Sequence, residues 1–224
     1  MQAVSMPPHE ETCANREEQK LYIISDVSAM PSRNYLFWKR FFDVVASILI
    51  GSLLLVPMFL IGVVIWCSSK GPALYKQERL GQNGKKFIML KFRSMTDDAE
   101  AEGPQWAREN DQRCTKVGAI LRKTRLDELP QLWNILKGDM SFVGPRPERE
   151  YFYEQFETYI VGFRKRLLVK PGLTGLAQVN GGYDLLPEEK IIYDMEYIEK
   201  MSLAMDAKCI FKTVRLILSH EGAR

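Results

Sequence analysis

The sequence predicts a membrane-associated α/β domain, and three observations predict it. An uncharged stretch of 24 residues, Val44–Cys67, carries a proline near its centre. Two short runs of strand-forming residues flank a turn at Gly81–Gly84. Apolar residues recur at helical spacing through the second half of the chain, above all over 187–219. Composition agrees with this class. A chain of 224 residues, 46% apolar and 26% charged, can bury a real core and is not disordered. A mean hydropathy of −0.20 excludes a polytopic membrane protein.

As a straight helix the apolar stretch would reach about 36 Å, against about 30 Å of bilayer hydrocarbon. No helical phase gives it a polar face, so a buried core helix fits poorly. It starts more than forty residues into the chain and lacks a small-residue cleavage pattern, so it is not a signal peptide. A full span and a segment that enters and leaves on one side remain. Pro57 removes a backbone donor and clashes with the preceding turn, at about 3 kcal/mol inside a helix. Arg33, Lys39 and Arg40 precede the segment, and Lys70, Lys76 and Arg79 follow it. The positive-inside rule asks for both ends in the cytoplasm, which a re-entrant helix broken at Pro57 allows and a span does not. The re-entrant reading is preferred, with a span as the alternative.

Before this segment, Leu21–Ile24 reads as a strand or an added element, with no function assigned. After it, Ala73–Gln77 and Phe87–Phe92 read as strands of a small antiparallel sheet. Residues 97–112 are acidic and polar, an exposed helix or loop. Val117, Ile120 and Leu121, then Leu129, Leu132 and Leu136, fall at helical spacing as core-facing positions. Gly138, Gly144, Pro145 and Pro147 define a compact loop, Tyr151–Arg166 a helix, and Lys170–Gly182 a glycine-rich loop. Pro187 opens a helix with Ile191, Ile192, Met195, Ile198 and Met201 as its apolar positions. A second piece sets Ile210, Phe211, Val214, Ile217 and Leu218 beside Lys208, Lys212 and Arg215. Both pieces either pack on the core or lie in the headgroup plane with their cations toward anionic lipid.

Residue usage narrows the chemistry. Cys13, Cys67, Cys114 and Cys209 lie far apart, neither a zinc spacing nor a disulfide framework, which fits a reducing compartment. His9 and His220 sit near the termini, so a Ser-His-Asp triad or an HExxH metal site is excluded. Neither GxGxxG nor GxxxxGK[ST] occurs. Carboxylates become the candidates, and the densest polar constellation is Lys116–Asp139. There Arg122, Lys123 and Arg125 lead into the pair Asp127-Glu128, with Pro130 two residues on. Proline is tolerated in a helix's first turn, so Asp127 is expected as an N-cap beside free amides that suit an anion. An ordinary cap with surface arginines is the plainer alternative. Arg146, held between two prolines, suits bidentate contact with phosphate or carboxylate. Lys91 and Arg93 alternate along a strand and are expected on one face. The basic run 113–125 has no interleaved aromatics, and nucleic acid is not expected as a partner.

Taken together, KRFFDVV, the membrane proline, KFRSM, RLDELPQLWNILKGDMSFVGPRP and KPGLTGLAQVNG resemble the bacterial sugar transferase family over about residues 36–219. These are small monotopic phosphoglycosyl transferases that start exopolysaccharide, capsule or O-antigen assembly. The resemblance implies transfer of a sugar 1-phosphate from a UDP-sugar to polyprenyl (undecaprenyl) phosphate, releasing UMP. It also implies Mg²⁺, a covalent two-step mechanism, and a location on the cytoplasmic face of the bacterial cell membrane. Asp127 falls on the nucleophile and Glu128 on its dyad partner, and the same two carboxylates are the expected metal ligands. Lys91, Arg122 and Arg146 fall on positions tied to phosphate binding or the catalytic centre, and Asp194 on a recurrent acidic position of the C-terminal helix.

The implied organisation is an extension (1–35), a re-entrant membrane helix (36–69), a cytoplasmic catalytic domain with interfacial helices (70–219), and a tail (220–224). The chain departs from the common pattern at Val56, Arg125, Leu176 and Gly182, where serine, serine, tryptophan and arginine are frequent. The loss of arginine at Gly182 bears on donor-sugar or nucleotide contacts, so no sugar is carried over, and a homodimer is left open. Two alternatives stand beside this expectation: a non-enzymatic membrane scaffold, and direct one-step transfer without an adduct.

Overall fold

The computed structural model describes residues 21–27, 31–96, 99, 103, 111–182 and 184–219. Most of the acidic stretch 97–112, and the tail 220–224, lie outside the described residues.

A two-residue strand, β1 (Tyr22–Ile23), comes first, and then two helices in succession, α1 (Arg33–Leu53) and α2 (Leu55–Ser68). They meet at Leu54 with a bend of 62°. The cause is Pro57, the third residue of α2. It has no N–H for the carbonyl of Leu53, so the ladder resumes only with Met58 N donating to Leu54 O at 2.8 Å. Within α2 itself the missing donor is harmless, because first-turn amides have no helical acceptor. No single helix among the described residues is long and apolar enough to cross a membrane.

The faces of α1 are inverted relative to a soluble helix. Tyr35, Lys39, Asp43 and Ser47, spaced by four, are its buried residues, whereas Phe37, Trp38, Phe41, Phe42, Ile48, Leu49 and Leu53 are exposed. Three of these four polar side chains bond to the body of the protein, and the buried Ser47 hydroxyl has no partner among the described residues. Tyr35 Oη and Lys39 Nζ each donate to Asp206 Oδ2 at 2.8 Å, and Asp43 Oδ1 accepts from Phe142 N at 3.0 Å. Arg40 donates to the carbonyls of Ile135 and Leu136 at 2.6 and 2.7 Å. At the far end, Arg93 donates to the carbonyls of Ser69 and Lys70, and Ile65 packs with Phe92 and Leu121. The helical pair therefore begins and ends on one body.

That body contains three two-stranded pairings. Strands β2 (Leu74–Leu80) and β3 (Lys86–Phe92) form the expected hairpin in register Leu74↔Phe92 to Leu80↔Lys86. The remaining strands are β4 (Ser141–Val143), β5 (Ile160–Val161) and β6 (Gly172–Thr174). They pair β1–β5 and β4–β6, both parallel, so the expected small antiparallel sheet is the β2–β3 hairpin alone and two parallel pairs that were not expected stand beside it. Strands of two or three residues are too short to show alternation, and parallel pairing closes over distances no local pattern records.

The helices are α3 (Lys116–Lys123), α4 (Gln131–Lys137), α5 (Glu150–Glu157), α6 (Leu176–Val179), α7 (Pro187–Glu199) and α8 (Leu203–Ser219). The helix expected over Tyr151–Arg166 is instead α5, β5 and the start of a 3₁₀ stretch, Phe163–Leu168. Gly162, at φ 94°, breaks it where other residues would be strained. Ile120 is exposed, although it was expected in the core.

The main core gathers Tyr153, Phe156, Phe163, Ile191, Tyr197 and Ile198, each fully buried and each contributing about 1.5–3 kcal/mol. Tyr22, Ile24 and Val27 of the amino-terminal stretch also pack on it. Helix α7 therefore supplies core and leaves Ile192 exposed, so the interfacial reading does not apply to it. Helix α8 does keep an apolar outer face: Ile210, Phe211, Val214, Ile217 and Leu218 are exposed.

Contact between β4 and β6 depends on Gly172. A Cβ there would lie 2.1 Å from Gly144 N and 2.3 Å from Thr174 O, both backbone atoms. Gly172→Ala is expected to destabilise by about 1–3 kcal/mol, because the strands must part. A thermal melt within one degree of wild type would contradict this packing.

Candidate active site

The dyad is built by a reversal between two helices. Thr115 caps α3 by accepting from Gly118 N at 2.9 Å, and α3 ends at Thr124. Arg125 then takes the left-handed conformation, φ 57°, and turns the chain into a 3₁₀ turn, Leu126–Glu128. Pro130 occupies the cap position of α4 without a side-chain bond. Asp127 is therefore not the N-cap that its spacing from Pro130 predicted. The local amides are used within the turn, Glu128 N donating to Arg125 O and Leu129 N to Leu126 O. Cationic side chains, not helix amides, must supply any anion binding.

They do converge. Lys91 Nζ lies 3.0 Å and Arg146 Nη2 2.5 Å from Glu128 Oε1. Arg93 does not join them, because it lies past the end of β3 and turns to the carbonyls after α2. Burial opposes ionisation of Glu128, but Arg146 and Lys91 overcome it and hold this carboxyl well below the usual carboxylate range. Asp127 is the reverse case. Also buried, its carboxyl makes no hydrogen bond or ion pair with the described residues. Burial pushes it up to about 6, Lys91, Arg146 and Arg122 pulling it down and Glu128 pushing it up. Two adjacent carboxyls are thus split: one fixed as an anion, the other unencumbered and titrating near neutrality.

Asp194 stands behind this group. Its Oδ2 accepts from Arg166 Nε at 2.6 Å, with both side chains buried, and Arg166 Nη2 donates to the carbonyl of Arg146 at 3.0 Å. Pro57 lies at the bend of the helical pair and serves the fold. Three contributors have no clear sequence signal. Arg166 and Lys190 read as ordinary surface cations, yet Arg166 is buried and Lys190 is held below its usual range by burial. Asn134 joins α4 to the strand carrying Lys91, its side chain donating to Ile88 O at 2.7 Å and accepting from Leu90 N at 3.0 Å. A polar residue amid LWNIL was the one available hint.

Among the described residues no three His, Cys, Asp or Glu side chains converge on a metal position. The donors at the dyad are the free Asp127 carboxyl and Glu128 Oε2, since Oε1 is taken. Hard oxygen donors in this number fit a Mg²⁺ ion completed by water and substrate phosphates, and do not make an all-protein cage.

Comparison with known proteins gives a consistent result. A UDP-N-acetylgalactosamine-undecaprenyl-phosphate N-acetylgalactosaminephosphotransferase of Aeromonas hydrophila is 42% identical over 200 residues, 88% of this chain and 47% of that protein. A UDP-glucose:undecaprenyl-phosphate glucose-1-phosphate transferase of Klebsiella pneumoniae is 44% identical over 182 residues, 79% of this chain and 39% of that protein. An undecaprenyl-phosphate galactose phosphotransferase of Salmonella typhimurium is 38% identical over 212 residues, 87% and 43%. The chain spans less than half the length of each of these three relatives. The family described as bacterial sugar transferase matches residues 34–220, a region that holds the bent helical pair, the split dyad and its three cations; the chain belongs to that family.

Proposed function

We propose that this protein transfers a sugar 1-phosphate from a UDP-sugar to polyprenyl (undecaprenyl) phosphate at the cytoplasmic face of the bacterial cell membrane, releasing UMP. The observation that carries the reading is the split dyad, a carboxyl unbonded by the described residues beside one immobilised by two cations. An Asp127 oxygen attacks the sugar-bearing phosphorus. The bond from that phosphorus to the bridging oxygen breaks, and UMP leaves. An oxygen of polyprenyl phosphate then attacks the same phosphorus, displaces the Asp127 carboxylate and forms the lipid diphosphate sugar. Two easier displacements replace one between two bulky anions.

Lys91 and Arg146 hold Glu128 in place, while Arg122 adds positive potential at Asp127. This fixed cationic frame opposes repulsion between the nucleophile and the donor's diphosphate. Mg²⁺, held by Asp127 and Glu128 Oε2, would supply further neutralisation of that charge. Relatives named for N-acetylgalactosamine, glucose and galactose share similar identity with the chain, so no single sugar is favoured.

Membrane attachment is supported by the exposed apolar faces. Leu53, Leu55, Val56 and Phe59 around the bend are each at least 65% exposed, and water is a poor environment for such a tip. Phe37, Trp38, Phe41 and Phe42 cluster just before the apolar stretch, where aromatic residues favour the headgroup level. Re-entry is supported by the contacts that tie both ends of the pair to one body, since a span would have to release one end.

The test is intact-protein mass spectrometry of the detergent-solubilised chain with Mg²⁺ and a panel of UDP-sugars, without acceptor. A phosphosugar mass gain that polyprenyl phosphate then discharges is expected. UMP release with acceptor but no adduct from any donor would replace the covalent route with direct transfer. No UMP release from any donor would reject the activity.

A further inference from the structure

We infer that Arg166, locked by Asp194, is a positioning residue that fixes Arg146 against Glu128. This rests on the proposed transferase reading. Arg166 touches neither carboxyl of the dyad; it acts through the backbone of the loop that carries Arg146.

The loop is held at successive peptides. Gly144 N donates to Thr174 O at 2.9 Å, and Gly172 N donates to Pro145 O at 2.9 Å. Arg79 Nη1 donates to Pro147 O at 3.1 Å, and Leu80 N to Glu148 O at 3.1 Å. Between these, the Arg146 carbonyl accepts from Arg166 Nη2 at 3.0 Å. Pro145 and Pro147 restrict φ on either side. With its own peptide fixed, the Arg146 guanidinium reaches Glu128 Oε1.

Arg166 is itself rigid. Its guanidinium carbon lies 4.8 Å from the Phe163 ring centre and 5.9 Å from that of Tyr153, and Nε is bonded to Asp194. A planar fork can bond a carboxylate on α7 and a carbonyl on the loop together, which an ammonium cannot do with the same geometry. Stability does not explain the arrangement. Burying an ion pair is often no better than burying apolar groups of similar volume, and Arg166 Nη1 is buried without a partner among the described residues. What the pair does provide is a defined place for one backbone carbonyl, 18 residues along the chain from Glu128.

The experiment compares Arg166→Lys, Asp194→Asn, Arg146→Ala and the two double variants containing Arg146→Ala. Each is the full chain in detergent with Mg²⁺, UDP-sugar and undecaprenyl phosphate. Arg166→Lys is expected to lower kcat at least about ten-fold, with donor KM changed by less than about three-fold. In the Arg146→Ala background the same substitution should add less than about two-fold, because both act through one group. Asp194→Asn should show the same pattern, and serves if Arg166→Lys fails to fold. Hydrogen exchange should quicken in the peptide spanning 143–149 and stay unchanged in α5, a readout that needs no turnover. Additive losses, a rise in KM alone, or unchanged exchange over 143–149 would overturn the assignment. A wild-type chain that releases no UMP would reject the transferase reading instead, while the exchange comparison would still decide whether Arg166 fixes the loop.

Discussion

Asp127→Asn is expected to lower turnover by more than about 10³-fold while leaving the protein folded and, at neutral pH with EDTA, more resistant to heat. The two effects have one cause. In the proposed mechanism Asp127 attacks as an anion, and burial makes that anion unfavourable, which is why its carboxyl is pushed up to about 6. Its folded value lies above the ordinary 3.8, so its contribution to stability is full below that value and is lost as pH rises to about 6. The amide removes this loss. A shift of about two units corresponds to at most about 3 kcal/mol, or several degrees in Tm for a chain of this size. In the wild type, kcat/KM is expected to fall as pH drops through about 6 and the nucleophile protonates. Near-normal UMP release by the asparagine variant would remove Asp127 from the mechanism, and an unchanged or lower Tm would contradict its buried, unbonded environment.

Glu128→Gln should behave oppositely in stability. Its folded value is depressed, so its contribution is present above the ordinary 4.5 and is lost only as pH falls well below it. At neutral pH the amide leaves Lys91 and Arg146 facing a neutral group in a buried site. Breaking such a pair on one side costs about 3–5 kcal/mol in fully buried cases, and less here because both cations retain some exposure. Turnover should fall by about 10²–10³-fold, because the two cations lose the anion that orders them beside the nucleophile. A melt that shifts upward in both variants would mean that the dyad is not split as the geometry indicates.

Much of this chain was legible before any coordinates. Pro57, the apolar run and the charges on both sides specified a broken apolar helix, because proline removes one donor wherever it stands. The hairpin was readable from its turn, and Lys91, Asp127, Glu128 and Arg146 from motif resemblance, and the fold gathers those four. Side-chain chemistry and short-range spacing are properties that a sequence states directly.

Tertiary structure decided the rest. Identical carboxyl chemistry at 127 and 128 diverged because burial pushes Asp127 up to about 6, while Lys91 and Arg146, distant in the chain, bond Glu128 and hold it as an anion. The cap expected at Asp127 gave way to a 3₁₀ turn because Arg125 reverses the backbone, a conformation no propensity assigns to arginine. Parallel pairing of β4 with β6, the turning of Arg93 away from the site, and the burial of Arg166 against Asp194 all depend on partners brought together across the fold. Sequence determined which groups exist and where the chain can bend. Which charges become neighbours, and therefore which carboxyl is pinned and which is left unbonded by the described residues, is a long-range electrostatic property that exists only once the chain has folded.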